Sequence, residues 1–180
     1  MKTITLLCLI VIFTTIICNV SCNKKSSNPI PIVHVNCDSL VTDTSSTNDS
    51  AIVFMPNAFV PSSTIPMNRS IHPFVENISK LDFKIFDSLN NLVFETKSIN
   101  VGWDGHSSYD NFNTNNKYYY GLQLITKSNH KIGVCGELYK LYCMPQYLLT
   151  NKVYLKLPDQ LTPNGFAFET DDPALKGQCP

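Results

Sequence analysis

The chain has 180 residues, 43% of them apolar, and its 14 basic side chains are balanced by 14 acidic ones. Without a basic excess there is no electrostatic footprint for DNA or RNA, so nucleic acid is not expected as a partner. Length allows one domain with flanking segments and leaves two full domains cramped.

Lys2 gives a short positive start, and Ile4 to Ile17 is apolar apart from threonines and Cys8, the length of a signal-peptide core. It is too short to span a bilayer, because polar Asn19, Ser21 and Asn23 and then Lys24-Lys25 follow at once. Asn19-Val20-Ser21-Cys22 resembles a lipobox, with a small residue before the cysteine. Residues 1–21 therefore read as a cleavable lipoprotein signal peptide and Cys22 as the lipidated first residue of the mature chain. The alternative is an ordinary secretory signal cleaved near Ser21, with Cys22 left as a thiol or disulfide partner. With the lipid, the expected location is the outer membrane or cell surface of a Gram-negative bacterium, the membrane being reached through the N-terminal anchor.

Residues 22–50 are rich in Ser, Thr, Asn and Pro and read as a tether and N-terminal segment, with an apolar island at Ile30–Val35. The domain is expected over 51–143. Ile52–Phe54 and Ala58–Val60 are short apolar runs broken by Pro56-Asn57. From Lys80 to Phe86, Leu81, Phe83 and Ile85 alternate with Asp82, Lys84 and Phe86, the period of a strand with one buried face. Asn90-Asn91, residues that tolerate positive φ, then separate it from Leu92-Val93-Phe94, which predicts a hairpin over 80–96. After Trp103-Asp104-Gly105, the aromatic run Lys117–Thr126 predicts a long strand, Ser128-Asn129-His130 its turn and Lys131–Tyr142 the return. No apolar repeat at helical spacing extends over a dozen residues. The fold class is therefore all-β, an Ig-like antiparallel β-sandwich of about seven strands.

Residues 144–180 read as a C-terminal extension with one strand candidate, Lys152–Leu157. Cys37, Cys135, Cys143 and Cys179 remain once the signal and Cys22 are set aside, an even number that predicts two disulfides in an oxidising compartment. Cys135 and Cys143 lie eight residues apart in one predicted strand, a separation of about 26 Å, whereas a disulfide tolerates about 7 Å between Cα atoms. Of the pairings left, Cys143 with Cys179 and Cys37 with Cys135 are expected. No pair has the close spacing of a zinc knuckle, and no metal is expected.

Three blocks in order carry a resemblance to the gliding-motility-associated C-terminal domain, the type B sorting domain of type IX secretion. Pro56-Asn57-Ala58-Phe59-Val60-Pro61 is similar to the family's opening motif. Ile85-Phe86-Asp87-Ser88-Leu89-Asn90 running into Leu92-Val93-Phe94-Glu95 is similar to its second block. Trp103-Asp104-Gly105, followed by Tyr118-Tyr119-Tyr120, is similar to its third. The family's acidic loop is replaced by Ser62–Asn68, so no calcium role carries over. About 37 residues follow Cys143, whereas the family domain normally ends its protein. The resemblance implies a β-sandwich of sorting and adhesion systems, with secretion machinery or surface polysaccharide as partners.

No catalytic constellation is legible. His34, His72, His106 and His130 stand singly, and no nucleophile elbow or phosphate-binding glycine loop occurs. His106 beside Asp104 reads as an exposed turn histidine. Neither an enzyme nor a cofactor is expected. The candidate binding residues are Trp103, Tyr118 and Tyr120, but large aromatics in a small β domain are usually core, and packing is the favoured reading of each. The leading expectation is a non-enzymatic envelope lipoprotein, and the alternative is a surface glycan- or protein-binding module. Asn48, Asn68 and Asn77 begin formal glycosylation sequons, which would suit a secreted glycoprotein instead.

Overall fold

The computed structural model describes Thr42, residues 50–106 and residues 115–179. The expected signal peptide, Cys22, most of the tether and Cys37 lie outside the described residues. Nine strands are described: β1 (Ile52–Phe54), β2 (Ala58–Phe59), β3 (Phe74–Glu76), β4 (Ile78–Phe86), β5 (Leu92–Thr96), β6 (Asn116–Thr126), β7 (Lys131–Lys140), β8 (Leu161–Thr162) and β9 (Gly165–Phe166). One short α-helix, α1 (Gln146–Thr150), and three 3-10 turns complete them.

Both predicted hairpins form. In β4, Leu81, Phe83 and Ile85 are buried and alternate with half-exposed Asp82, Lys84 and Phe86. The turn into β5 is held by the Asp87 carboxylate, which accepts from the backbone N–H groups of Leu89 (2.9 Å) and Asn91 (2.8 Å). Asn90 takes the left-handed conformation (φ 65°), as an asparagine can at little cost. In β6, Tyr118, Tyr120, Leu122 and Leu124 share the inner face, and Asn129 (φ 67°) turns the chain into β7. The hairpins join through β4 and β6, so the main sheet runs β2-β7-β6-β4-β5.

The β1–β3 ribbon packs Val53 and Val75 onto the apolar core that includes Phe83, Leu122 and Leu138. The opposite face of the sheet carries the charged side chains. There Lys84 pairs with Asp82 (3.2 Å) and Glu95 (3.4 Å), and Lys117 pairs with Glu137. A sheet with one apolar and one charged face is what the alternation in β4 and β6 dictates. The expectation of antiparallel pairing throughout is corrected at one place, since β2 runs parallel to β7 with Ala58 opposite Tyr139. These strands are far apart in the chain, so no tight turn imposes the antiparallel sense.

The C-terminal extension is built onto the sheet's β2 end. Leu148, Leu157 and Leu175 bury against Ala58, Val60, Tyr139 and Leu141 in a second apolar cluster. Lys152–Leu157 does not form the expected strand. Its alternation is real burial, with Val153, Leu155 and Leu157 turned into that cluster, but the backbone is held by a side chain. Asn57 donates from Nδ2 to the Tyr154 carbonyl (3.0 Å) and accepts at Oδ1 from the Lys156 N–H (2.7 Å). Its own N–H donates to the Lys156 carbonyl (2.9 Å). The tail thus covers the open edge of β2, where unpaired backbone would otherwise face water.

A buried polar cluster fastens the tail further. Asp172, fully buried, accepts from Ser63 Oγ (2.5 Å), Asn68 Nδ2 (2.9 Å) and the Ala174 N–H (3.1 Å). Asn68 Oδ1 accepts from the Asp159 N–H (3.0 Å). Ser63 and Asn68 belong to the Ser62–Asn68 loop, so the loop that departs from the family pattern is the one that receives the tail. The amide of Asn68 is buried and used at both ends, which removes it as a glycan acceptor in the folded chain.

The disulfide expected at the tail is present, Cys143 to Cys179 with Cα atoms 5.1 Å apart. Cys135 is also disulfide-bonded, and its expected partner Cys37 lies outside the described residues. No described helix is long and apolar enough to cross a membrane.

Candidate binding groove

All three residues singled out as possible ligand contacts lie inside the domain. Trp103 is 3% exposed, and its ring meets Tyr118 edge-on at 4.7 Å and Phe59 at 5.5 Å. Its indole N–H donates to the His106 carbonyl (3.0 Å). Tyr120 fills the space above Gly136, where a Cβ would lie 3.1 Å from its ring. Burial also pushes the Tyr120 hydroxyl pKa up. These rings cannot stack on a ligand without opening the core, so packing, the reading their chemistry favoured, holds for Trp103, Tyr118 and Tyr120, and the ligand-contact alternative is corrected.

The Trp103-Asp104-Gly105 block has a structural account. Gly105 has φ 84°, and a Cβ there would sit 2.8 Å from Lys140 Cδ and 3.1 Å from Pro61 Cγ. Asp104 caps the turn by accepting from the His106 N–H (3.0 Å), while its other oxygen meets His106 Nδ1 at 2.7 Å. Partial burial pushes the Asp104 carboxyl up, but the hydrogen bonds and charge of His106 outweigh it and leave the pKa lowered. Both side chains are more than half exposed, the setting of a turn and not of a sequestered acid–base pair. Among the described residues no three His, Cys, Asp or Glu side chains gather as a metal site.

A concave surface lies on the far side of the β1–β3 ribbon. Val53 and Val75 point into the core, so the register Ile52↔Glu76 and Phe54↔Phe74 places those four side chains on the outer face. They floor a groove of about 550 Å³. Ile99 and Asn100 form one wall, and Leu161, Thr162 and Pro163 of the tail form another. Ile52 and Ile99 are exposed, and Phe54 and Phe74 half-buried. Phe54 is steadied edge-on by Phe166 of β9 (6.2 Å). His72 lies against Phe74 with ring centres 4.6 Å apart, and burial lowers its pKa from 6.5, so it is neutral at pH 7. Glu76, exposed, is the only acidic side chain of the lining.

Sequence reading missed this groove. Its one visible signal was that Ile52–Phe54 and Phe74–Val75 are apolar at every position, so each strand has an apolar side chain left over for its outer face. The arrangement defines a predominantly β domain, closed at one edge by its own tail, with a preformed apolar groove. No family model, curated protein or solved structure matches the chain.

Proposed function

We propose that the protein is a non-enzymatic, lipid-anchored envelope protein whose Ig-like β-sandwich of about seven strands over residues 51–143 acts as a protein-binding module. The groove over Phe54 and Phe74 receives an extended, apolar polypeptide segment that carries one basic residue. The observation that carries this reading is the groove itself. Pre-formed concave sites lined by apolar and aromatic side chains with a few placed polar groups are the usual geometry of recognition. With His72 neutral, Glu76 gives the lining a single negative charge, which a basic side chain of the partner complements.

Export and anchoring rest on the signal-like first 21 residues and on Cys22. The two disulfide-bonded sites suit an oxidising compartment. The kinship with type IX sorting and gliding domains rests on the three sequence blocks. Two of them meet in space, since Phe59 of the first packs on Trp103 of the third. Secretion machinery is the partner class that this resemblance supports. A surface polysaccharide is the weaker partner, because the tyrosines that suggested one are internal.

Two measurements test the proposal. Cys22→Ala should abolish palmitate incorporation and move the protein from membrane to soluble fractions; continued membrane pelleting refutes the anchor. Phage-displayed peptides panned against the chain lacking residues 1–22 should yield apolar sequences with a Lys or Arg. Those peptides should lose binding to Phe74→Ala and Glu76→Lys chains that melt like the parent. Enrichment of acidic peptides, or binding indifferent to both variants, refutes the groove.

A further inference from the structure

The tail disulfide carries an arrangement that packing alone does not require. The side-chain amide of Asn115 lies across it, with Nδ2 donating to Cys179 Sγ at 3.0 Å and to Cys143 Sγ at 3.5 Å. The orientation of that amide is fixed from its other end. Its Oδ1 accepts from the backbone N–H of Tyr142 (2.6 Å) and of Cys143 (3.4 Å). A flipped amide would set an NH2 against two N–H groups, so the donor must face the sulfurs. Both cysteines are only half-buried, and a small thiol can reach them.

A sulfur is a weak acceptor as a disulfide and a strong one as a thiolate, so this N–H is worth most when charge develops on Cys179. Thiol–disulfide exchange is faster when the leaving sulfur is the better-stabilised thiolate. We infer that Cys143–Cys179 is a thiol-exchange site for an external dithiol, polarised by Asn115 so that Cys143 is attacked and Cys179 leaves.

In the first step a reductant thiolate bonds to Cys143 Sγ. The Cys143–Cys179 bond breaks, and its electron pair departs on Cys179 Sγ, which keeps the Asn115 hydrogen bond. The reductant's second thiolate then displaces Cys143, leaving the reductant as a disulfide and both cysteines reduced by two electrons in total. Both thiolates take protons from water.

Reduction would undo the clasp without unfolding the domain. The contacts that lie beside the disulfide are few, Met144 N–H to the Gly177 carbonyl (3.4 Å) and Cys179 N–H to the Met144 carbonyl (3.1 Å). The buried Asp172 cluster and Leu148, Leu157 and Leu175 hold the rest of the tail. Met144 and Lys176 also line a second cavity of about 510 Å³ beside the highly exposed Phe168, so release of the last residues opens that wall.

Asn115 is a positioning residue, and Asn115→Asp is the informative variant, because it keeps the acceptor for Tyr142 and Cys143 and removes the donor. Oxidised wild-type and variant chains are treated with glutathione or dithiothreitol, quenched in acid and mapped by mass spectrometry. In the wild type the trapped glutathione adduct should sit on Cys143 with Cys179 free. In Asn115→Asp the dithiothreitol reduction of this bridge should slow about tenfold, the worth of one charge-assisted hydrogen bond, and the adduct preference should vanish. The bridge of Cys135, in the same tube, should be reduced at the same rate in both chains. An adduct on Cys179 or shared equally in the wild type, or a variant in which the two bridges change rate together or not at all, overturns the inference.

Discussion

Adding one methyl group at Gly105 should destabilise the domain more than removing the charged side chain beside it. At φ 84° an L-residue pays about 1–2 kcal/mol in backbone strain. The new Cβ would then stand 2.8 Å from Lys140 Cδ, 3.1 Å from Pro61 Cγ and 3.2 Å from Phe59 Cε2. A lysine end can usually swing aside, but Lys140 and Phe59 are both 0% exposed, so the neighbours are held by the core. Overpacking of this kind costs about 1–3 kcal/mol. The two together give about 3 kcal/mol for Gly105→Ala, a fall in melting temperature on the order of 10 °C for a chain of this size. Asp104→Ala loses a turn cap and an exposed ion pair and should cost under about 1 kcal/mol. Circular-dichroism melts and guanidinium titrations of the two variants, without reductant, decide it. A Gly105→Ala chain within about 2 °C of wild type, or no worse than Asp104→Ala, would refute the close-packed account of the Trp-Asp-Gly turn.

Asp172→Ala leaves Ser63 and Asn68 without their buried acceptor, at about 1–3 kcal/mol for the stranded groups; limited proteolysis should then cut first within 158–176, and cleavage that still begins elsewhere would show the cluster is not what holds the tail. His72 is expected to make stability pH-dependent. Its folded pKa lies below the unfolded 6.5, so the unfolded chain binds the proton first, and stability is whole above 6.5 and falls as pH drops towards the lowered value. Replacing it by Gln should flatten melting temperature against pH between about 7 and 5, and an unchanged slope would remove His72 as the cause.

What could be read from the sequence was what local chemistry decides. Leu81, Phe83 and Ile85 at period two, with Asn90 able to turn left-handed, specify the β4–β5 hairpin without help from the rest of the chain. The distance argument separating Cys135 from Cys143 needed only an extended strand. The pairing of Cys143 with Cys179 followed from it as one of two choices. Lys152–Leu157 failed because alternation reports which side chains are buried and is silent on what the backbone bonds to; here the partner is the amide of Asn57. Helix α1 is a single turn with no repeat to detect. The parallel sense of β2, and a groove whose floor comes from residues 52–76 and one wall from 161–163, depend on contacts distant in sequence. Trp103 was legible as a core ring, since an indole before Asp-Gly suits a buried ring beside a capped turn, with an exposed stacking ring as the lesser alternative, and it packs against Phe59 and Tyr118.

The buried bonds from Ser63 and Asn68 to Asp172 span 109 and 104 residues of chain. The free edge of strand β2 is likewise met by residues 154–156. Synthesis runs from the N-terminus, so the first part of the domain to be made is the last to be finished. Until residues 148–175 are made, the β2 edge and the apolar faces of Val60, Tyr139 and Leu141 stay open, and closure over such spans is slow. The chain is thereby kept from completing its fold early, and during that interval it is at its most vulnerable to pairing with another copy of itself.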